Sequence, residues 1–205
     1  MVKPDSWIRK MSLDQGMIEP FAEGISRPGK ISYGLSSYGY DMRISDHFKV
    51  FAGCEDAAAQ RAGSGIIDPK ALTPESFKDM VTDVLTMEPH SSALGLSVEY
   101  FRIPRNIITV TFGKSTYARC GVVVNVTPFE PEWEGYVTIS IINTNDHPVK
   151  LYAGEGIAQV LFLSGDGLCE ISYADKKGKY QAQKTITVAK VEKNDMPRSH
   201  EDTKK

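Results

Sequence analysis

The feature that most constrains this chain is a series of short runs rich in β-branched and aromatic residues. They are Val98–Arg102, Ile107–Phe112, Val122–Val126, Tyr136–Ile142, Val149–Tyr152 and Ala158–Leu163. Gly, Pro and Asn punctuate them at a spacing of roughly ten residues, the pattern of sandwiches and barrels. Hydrophobic residues make up 41% of the 205 positions, enough for a packed core and too few for a membrane protein. No apolar run approaches the length of a bilayer span.

Outside this series the chain is less regular. Residues 5–16 carry an amphipathic helical pattern. Asp5 or Ser6 is a candidate cap, Trp7, Ile8 and Met11 share one face, and Gly16 is a stop signal. Ile31 to Arg43 alternates glycine, serine and tyrosine and reads as irregular chain running into a strand. Residues 52–66 are rich in alanine, glycine and charge and read as a surface loop or insertion. Thr73-Pro74-Glu75 is a helix-start signal, with Thr73 as cap and a short helix expected through about Val81. From Lys190 to Lys205 the sequence is charged and reads as a flexible tail. Residues 1–189 are therefore read as a single domain.

Charge and cysteine usage exclude several functions. The net charge is −2 and the pI near 6.1, which argues against a nucleic-acid backbone as partner. The N-terminal Met1-Val2-Lys3-Pro4-Asp5 lacks the apolar core of a signal peptide, so a cytoplasmic protein is expected. Cys54, Cys120 and Cys169 form no C-x-x-C pair, and His47, His90, His147 and His200 lie in no H-x-E or H-E-x-x-H setting. The zinc-deaminase signature is absent, so no zinc is expected.

One segment between the strands carries chemistry: Gly113-Lys114-Ser115-Thr116-Tyr117-Ala118-Arg119-Cys120-Gly121. Ser115 or Thr116 is placed to cap a short helix and Gly121 to end it. Free N–H groups, two hydroxyls and the Lys114 and Arg119 cations suit a phosphate or another polar ligand. A hydrophilic turn with two solvated cations fits the same residues equally well.

This segment resembles the core of the dCTP deaminases, which belong to the trimeric deoxyuridine triphosphatase superfamily. So do Val124-Asn125-Val126-Thr127-Pro128 and Glu130-Pro131-Glu132-Trp133-Glu134-Gly135-Tyr136-Val137-Thr138. Further likenesses are Ser36-Ser37-Tyr38-Gly39-Tyr40-Asp41-Met42-Arg43, Val98-Glu99-Tyr100-Phe101-Arg102-Ile103-Pro104, Gly154-Glu155-Gly156-Ile157-Ala158-Gln159 and Gly178-Lys179-Tyr180-Gln181. The resemblance covers nearly all of residues 5–188 apart from 52–66.

The resemblance implies a mainly all-β, distorted jelly-roll-like dUTPase fold with a short N-terminal helix and a few other short helices. It implies a homotrimer with sites at subunit interfaces and a triphosphate bound with Mg²⁺. It implies hydrolytic deamination of dCTP to dUTP and ammonia, with dTTP as feedback inhibitor. Carried over residue by residue, Lys114, Ser115, Thr116, Tyr117, Ala118 and Arg119 form the phosphate- and water-handling loop. Ser115 holds the attacking water with the Pro128 carbonyl, and Arg119 supports that site electrostatically. Thr138, Ile139 and Ser140 fall on the strand that reads the base. Gln159, Tyr173, Lys179 and Gln183 fall where the family contacts sugar and phosphates, the last three on a C-terminal lid. On the residues alone, Gln159 is equally an ordinary strand residue, Tyr173 a core-edge aromatic, and Lys179 and Gln183 part of a solvated tail. Thr127 and Trp133 read as packing and turn residues.

The sequence departs from the family pattern at two places. Val137-Thr138-Ile139-Ser140-Ile141-Ile142-Asn143 carries Ser140 at the position of the family's catalytic glutamate. Strand alternation keeps Ser140 on the site face. A serine hydroxyl without an activating partner is no general base near neutral pH. Thr185 follows Gln183-Lys184 where the family commonly has glycine, which restricts a turn. Four readings stay open: a deaminase drawing a carboxylate from Glu130, Glu132 or Glu134; a nucleotide-binding homologue with little catalysis; a triphosphate diphosphohydrolase; and a ligand-free jelly-roll protein.

Overall fold

The structure is a computed structural model that describes residues 1–51, 68–70, 72 and 74–190. The 52–66 insertion, the Thr73 cap and the tail from residue 191 onward lie outside the described residues.

Helix α1 (Asp5–Gln15) buries Ile8, with Trp7 and Met11 half-buried against the same core. Gly16 ends it in the left-handed conformation, φ +63°, and its N–H closes on the Ser12 carbonyl. The N-terminus differs from the sequence expectation. Pro4 is the extended cap residue, its carbonyl accepting from Trp7 and Ile8, and no side chain caps the helix. The Asp5 carboxylate instead accepts from the Ser6 N–H at 2.6 Å.

Eleven strands follow among the described residues: β1 (Ile18–Glu19), β2 (Gly34–Ser36), β3 (Gly39–Phe51), β4 (Phe77–Val81), β5 (Val84–Met87), β6 (Ser92–Arg102), β7 (Ile107–Gly113), β8 (Val122–Asn125), β9 (Glu134–Asn143), β10 (Val149–Tyr152) and β11 (Gly156–Ser164). The main sheet runs β7-β11-β3-β6-β9-β8, with β1 on β6 and both β2 and β4 on β3. Strands β10 and β5 form a separate antiparallel pair. The outer strands β7 and β8 approach each other, so the sheet nearly closes into a barrel. Thr109 on β7 ties down the chain after β8: its hydroxyl accepts from the Phe129 N–H, and its own N–H bonds the Phe129 carbonyl.

The expected helix through Val81 is a short 3₁₀ turn (Pro74–Ser76) followed by β4. The edge of β3 decides this, because β4 pairs with it from His47↔Val81 to Phe51↔Phe77. The Phe51 and Phe77 rings meet edge to face at 4.8 Å.

The core is the inner face of the sheet: Tyr40, Met42, Ile44, Phe101, Ile139, Ile141, Val160 and Phe162 are all fully buried. Strand β9 alternates strictly from Glu134 to Ile141, with Val137, Ile139 and Ile141 inward and Tyr136, Thr138 and Ser140 on the other face. A charged group penetrates the core. Glu99 is fully buried, and its carboxylate accepts from the Arg43 side chain at 2.6 Å, the Arg43 N–H at 2.9 Å and the Tyr40 hydroxyl at 3.3 Å. Burial pushes the Glu99 carboxyl up despite the opposing pull of Arg43.

Candidate active site

The residues singled out in the sequence sort into two clusters. The first surrounds helix α2 (Ser115–Ala118), between β7 and β8. Its cap residue is Lys114, in extended conformation, and neither Ser115 nor Thr116 caps it through a side chain. Gly121 closes the turn at φ +67°, its N–H reaching the Ala118 carbonyl. Ser115, Thr116, Ala118 and Arg119 are exposed, and the Arg119 guanidinium folds back on the Ser115 carbonyl at 3.1 Å. Two inward contacts hold the turn. The Lys114 ammonium bonds the Asp41 carboxylate at 2.6 Å, and the Tyr117 hydroxyl accepts from the Tyr152 N–H at 3.1 Å.

Tyr117 was expected among the ligand-contacting residues. Its ring is 3% exposed and belongs to the core, where burial pushes the phenol up to about 12. Its part in the site is to anchor the outward-facing residues around it. Gln159 lies beside this cluster on β11, opposite Asp41 in register, and its amide donates to the Ser36 hydroxyl at 2.9 Å.

The second cluster lines a cavity of about 650 Å³ between β9, the 126–130 segment and the C-terminal segment. Pro128, Thr138, Tyr173, Lys179 and Gln183 all border it. The C-terminal segment is laid on the chain by backbone bonds: Tyr136 N–H to the Gln183 carbonyl at 2.9 Å, and Ala182 N–H to the Glu134 carbonyl at 3.0 Å. Trp133 fastens it from below, its indole N–H donating to the Tyr180 carbonyl at 2.9 Å, and Tyr180 N–H reaches the Tyr173 hydroxyl. Trp133 is thus a packing residue as read from the sequence, while Thr127 is exposed and borders the cavity. The left-handed positions in this segment are Lys177, φ +51°, and Ala182, φ +52°, and not Thr185, so the β-branched side chain at 185 does not prevent the segment from lying down.

Ile139 was also expected at the site. It is 0% exposed on the core side of β9, because alternation turns it away from Thr138 and Ser140. Ser140 shares the Thr138 face one step further along, outside the cavity wall, paired with Leu94 on β6 and Asn125 on β8. Glu130, Glu132 and Glu134, the other candidate carboxylates, each face a cation: Lys176 at 2.5 Å, Arg105 at 2.7 Å and Arg102 at 3.9 Å. The Lys179 ammonium donates to the Lys190 carbonyl at 2.6 Å and sits 5.3 Å from the centre of the Tyr180 ring.

The α2 residues and the cavity share no lining residue, so they form two separate clusters on the described chain. Asp41 and Thr187 were not singled out from the sequence. Asp41 sat within the quoted Tyr40-Asp41-Met42-Arg43 motif, whereas nothing local marked Thr187.

An all-β chain with an outward phosphate-type turn and a cavity covered by its own C-terminal segment is the class these features define. Residues 2–165 match the family model described as dCTP deaminase-like, and the chain belongs to that family. It is 58% identical over 193 residues to the dCTP deaminase of Chlamydia muridarum, covering 91% of this chain and 97% of that protein. It is 54% identical over 191 residues to the dCTP deaminase of Chloroflexus aurantiacus, covering 93% and 98%. Its fold is similar to the crystal structure of 2'-deoxycytidine 5'-triphosphate deaminase from Agrobacterium tumefaciens, with a TM-score of 0.60 at 13% identity. That match covers 80% of this chain, which spans 48% of the longer solved one.

Proposed function

We propose that the protein binds pyrimidine deoxynucleoside triphosphates and belongs to the lineage of zinc-independent enzymes that deaminate dCTP, with its chemical step impaired by Ser140. The observation that carries this is the cavity itself, where Pro128, Thr138, Tyr173, Lys179 and Gln183 converge under the C-terminal segment. Relatives named dCTP deaminase, more than half identical over nearly the whole chain, support it.

Because Ser115 and Arg119 lie outside the cavity that Pro128 lines, a complete site needs the α2 turn of a second copy, as in a homotrimer. Water held between the Ser115 hydroxyl and the Pro128 carbonyl attacks C4 of cytosine. Its proton must leave, N3 must gain one, and the 4-amino group departs as ammonia to give the 4-oxo product. A carboxylate at position 140 would carry those protons in sequence, typically worth about 10²–10⁴-fold in rate. Ser140 cannot, and Glu130, Glu132 and Glu134 are engaged with cations. The dUTP product and dTTP, as feedback inhibitor, are ligands of the same site.

Mg²⁺ fits as part of the nucleotide. Among the described residues no group of three or more His, Cys, Asp or Glu could hold a metal, and Asp41 is already paired with Lys114. When it is bound with a triphosphate, the phosphate oxygens would be its ligands, since Mg²⁺ prefers oxygen donors. The ion offsets triphosphate charge, while Lys179 and Arg119 supply the protein's cations.

The test is calorimetry with dCTP, dUTP and dTTP in Mg²⁺, together with ammonia release from dCTP. Binding with turnover far below the ordinary enzyme range of roughly 1 per second or faster is expected. No binding by any of the three would sink the reading.

A further inference from the structure

The Thr138 side chain carries an inference that goes beyond the deaminase lineage. Its Oγ1 lies 2.5 Å from Gln183 Nε2 and 3.2 Å from the Thr187 N–H. The direction of the first bond is fixed by a third group. Gln183 Nε2 also lies 2.9 Å from the Tyr136 carbonyl, which can only accept, so the amino end of the amide must face both partners. The amide's two hydrogens are then spent on Tyr136 and Thr138, and the backbone N–H of Thr187 can only donate.

A threonine hydroxyl has two acceptor lone pairs and one hydrogen. Both lone pairs of Thr138 are occupied by donors from the C-terminal segment. Its own hydrogen meets no acceptor among the described residues, and the residue borders the cavity. While that segment is in place, Thr138 is a donor and nothing else.

We propose that Thr138 is a specificity-determining residue that favours a 4-oxo pyrimidine nucleotide over a 4-amino one. This rests on the reading that the cavity takes a pyrimidine deoxynucleotide. Thr138 and Ser140 share one face of β9, and position 140 is where that reading places the group acting at C4. A donor-only hydroxyl beside C4 meets an acceptor in uracil or thymine. In cytosine it meets the hydrogens of the amino group, and two donors face each other with neither satisfied. The C-terminal segment sets this polarity through Gln183 and Thr187, so closure and base preference are one event. The orientation holds the 4-oxo product in preference to the 4-amino substrate.

The experiment is calorimetric titration of the full chain with dUTP and dCTP in Mg²⁺, on the protein, Thr138→Val and Thr138→Ser. Tighter binding of dUTP by about tenfold, the worth of one hydrogen bond gained against one opposed, is expected of the protein and of Thr138→Ser. Thr138→Val should bring the two affinities to near equality, whereas a purely structural role would shift both alike and leave their ratio unchanged. If Thr138→Val does not fold, Gln183→Met serves instead: it frees one lone pair, lets the hydroxyl accept from the amino group, and should lower the ratio. Binding of both nucleotides with a ratio near one in the unaltered protein, or one that survives the substitutions, overturns the inference alone. Absence of binding by either nucleotide overturns the reading beneath it as well.

Discussion

The Lys114 ammonium and the Asp41 carboxylate meet at 2.6 Å with only 11% and 15% of their side chains exposed. The pair joins the start of the α2 turn to the start of β3, where Asp41 stands opposite Gln159 of β11. A cation that looked free to meet phosphate is thus the tether that fixes Ser115 and Arg119 to the barrel.

Asp41→Ala should leave a largely desolvated ammonium without a partner. We expect a loss of about 2–3 kcal/mol, somewhat below the cost of breaking a fully buried pair. Lys114→Met made in the same protein should recover much of it, because the stranded charge goes too. Urea unfolding midpoints of the two single variants and the double variant measure this. Additive losses would mean that the contact carries no coupling.

Ser140→Glu should raise deamination strongly while changing affinity little. Tyr173, Lys179 and Gln183, which would hold the sugar and phosphates, line the cavity, whereas Ser140 lies outside its wall. The gain should appear in kcat rather than KM, as expected of a group acting in the transition state. Ammonia release with dUTP as product is the measurement. An unaltered chain already turning over at roughly 1 per second or faster would place the general base elsewhere.

Alkaline pH should expose the buried Tyr117. Its phenol is pushed from 10.0 up to about 12, chiefly by burial. The folded chain keeps that proton while the unfolded chain releases it, so stability falls as pH rises across this window. Tyr40, also pushed up by burial, acts in the same direction. Tyr117→Phe should flatten the decline, as read from urea midpoints on either side of pH 10. An unchanged slope would mean that Tyr117 ionises freely in the folded chain.

Assembly should be visible in the mass. The α2 turn and the cavity are separate clusters, and Val123 and Ile142, directly paired across β8 and β9, are both exposed. Light scattering should give about three times 22.7 kDa. A monomer that still binds dCTP would mean that one chain completes the site.

Much of the strand order was legible because the β-branched runs carry their own signal. Strand β10 coincides with the run Val149–Tyr152, and β7 and β11 extend theirs by one to three residues. Strand β6 was recognised only in its second half. Its first half contains Gly95 and Ser97, which become strand residues through distant partners on β9: Gly95 pairs with Ile139, and Ser97 Oγ accepts from the Val137 N–H. Strand β3 follows the irregular chain that was read as running into a strand, and its charged residues find distant partners once the sheet has formed: Arg43 meets Glu99 and Lys49 meets Asp79. The β4 region was misread because its helix signal is local, while the open edge of β3 that captures it is not.

By itself the sequence determined the mainly β class and the α2 turn with its exposed hydroxyls and cation. These depend on residue type and short-range periodicity, which need no partner. Only the tertiary structure decided that Tyr117 faces the core, that Lys114 is spent on Asp41, and that Thr138 can only donate. Each is fixed by a group far away along the chain, 73 residues for Lys114 and Asp41 and 45 for Gln183 and Thr138. A side chain's direction and its remaining hydrogen-bonding capacity are set by whichever partners folding brings to it, and residue order does not encode that locally.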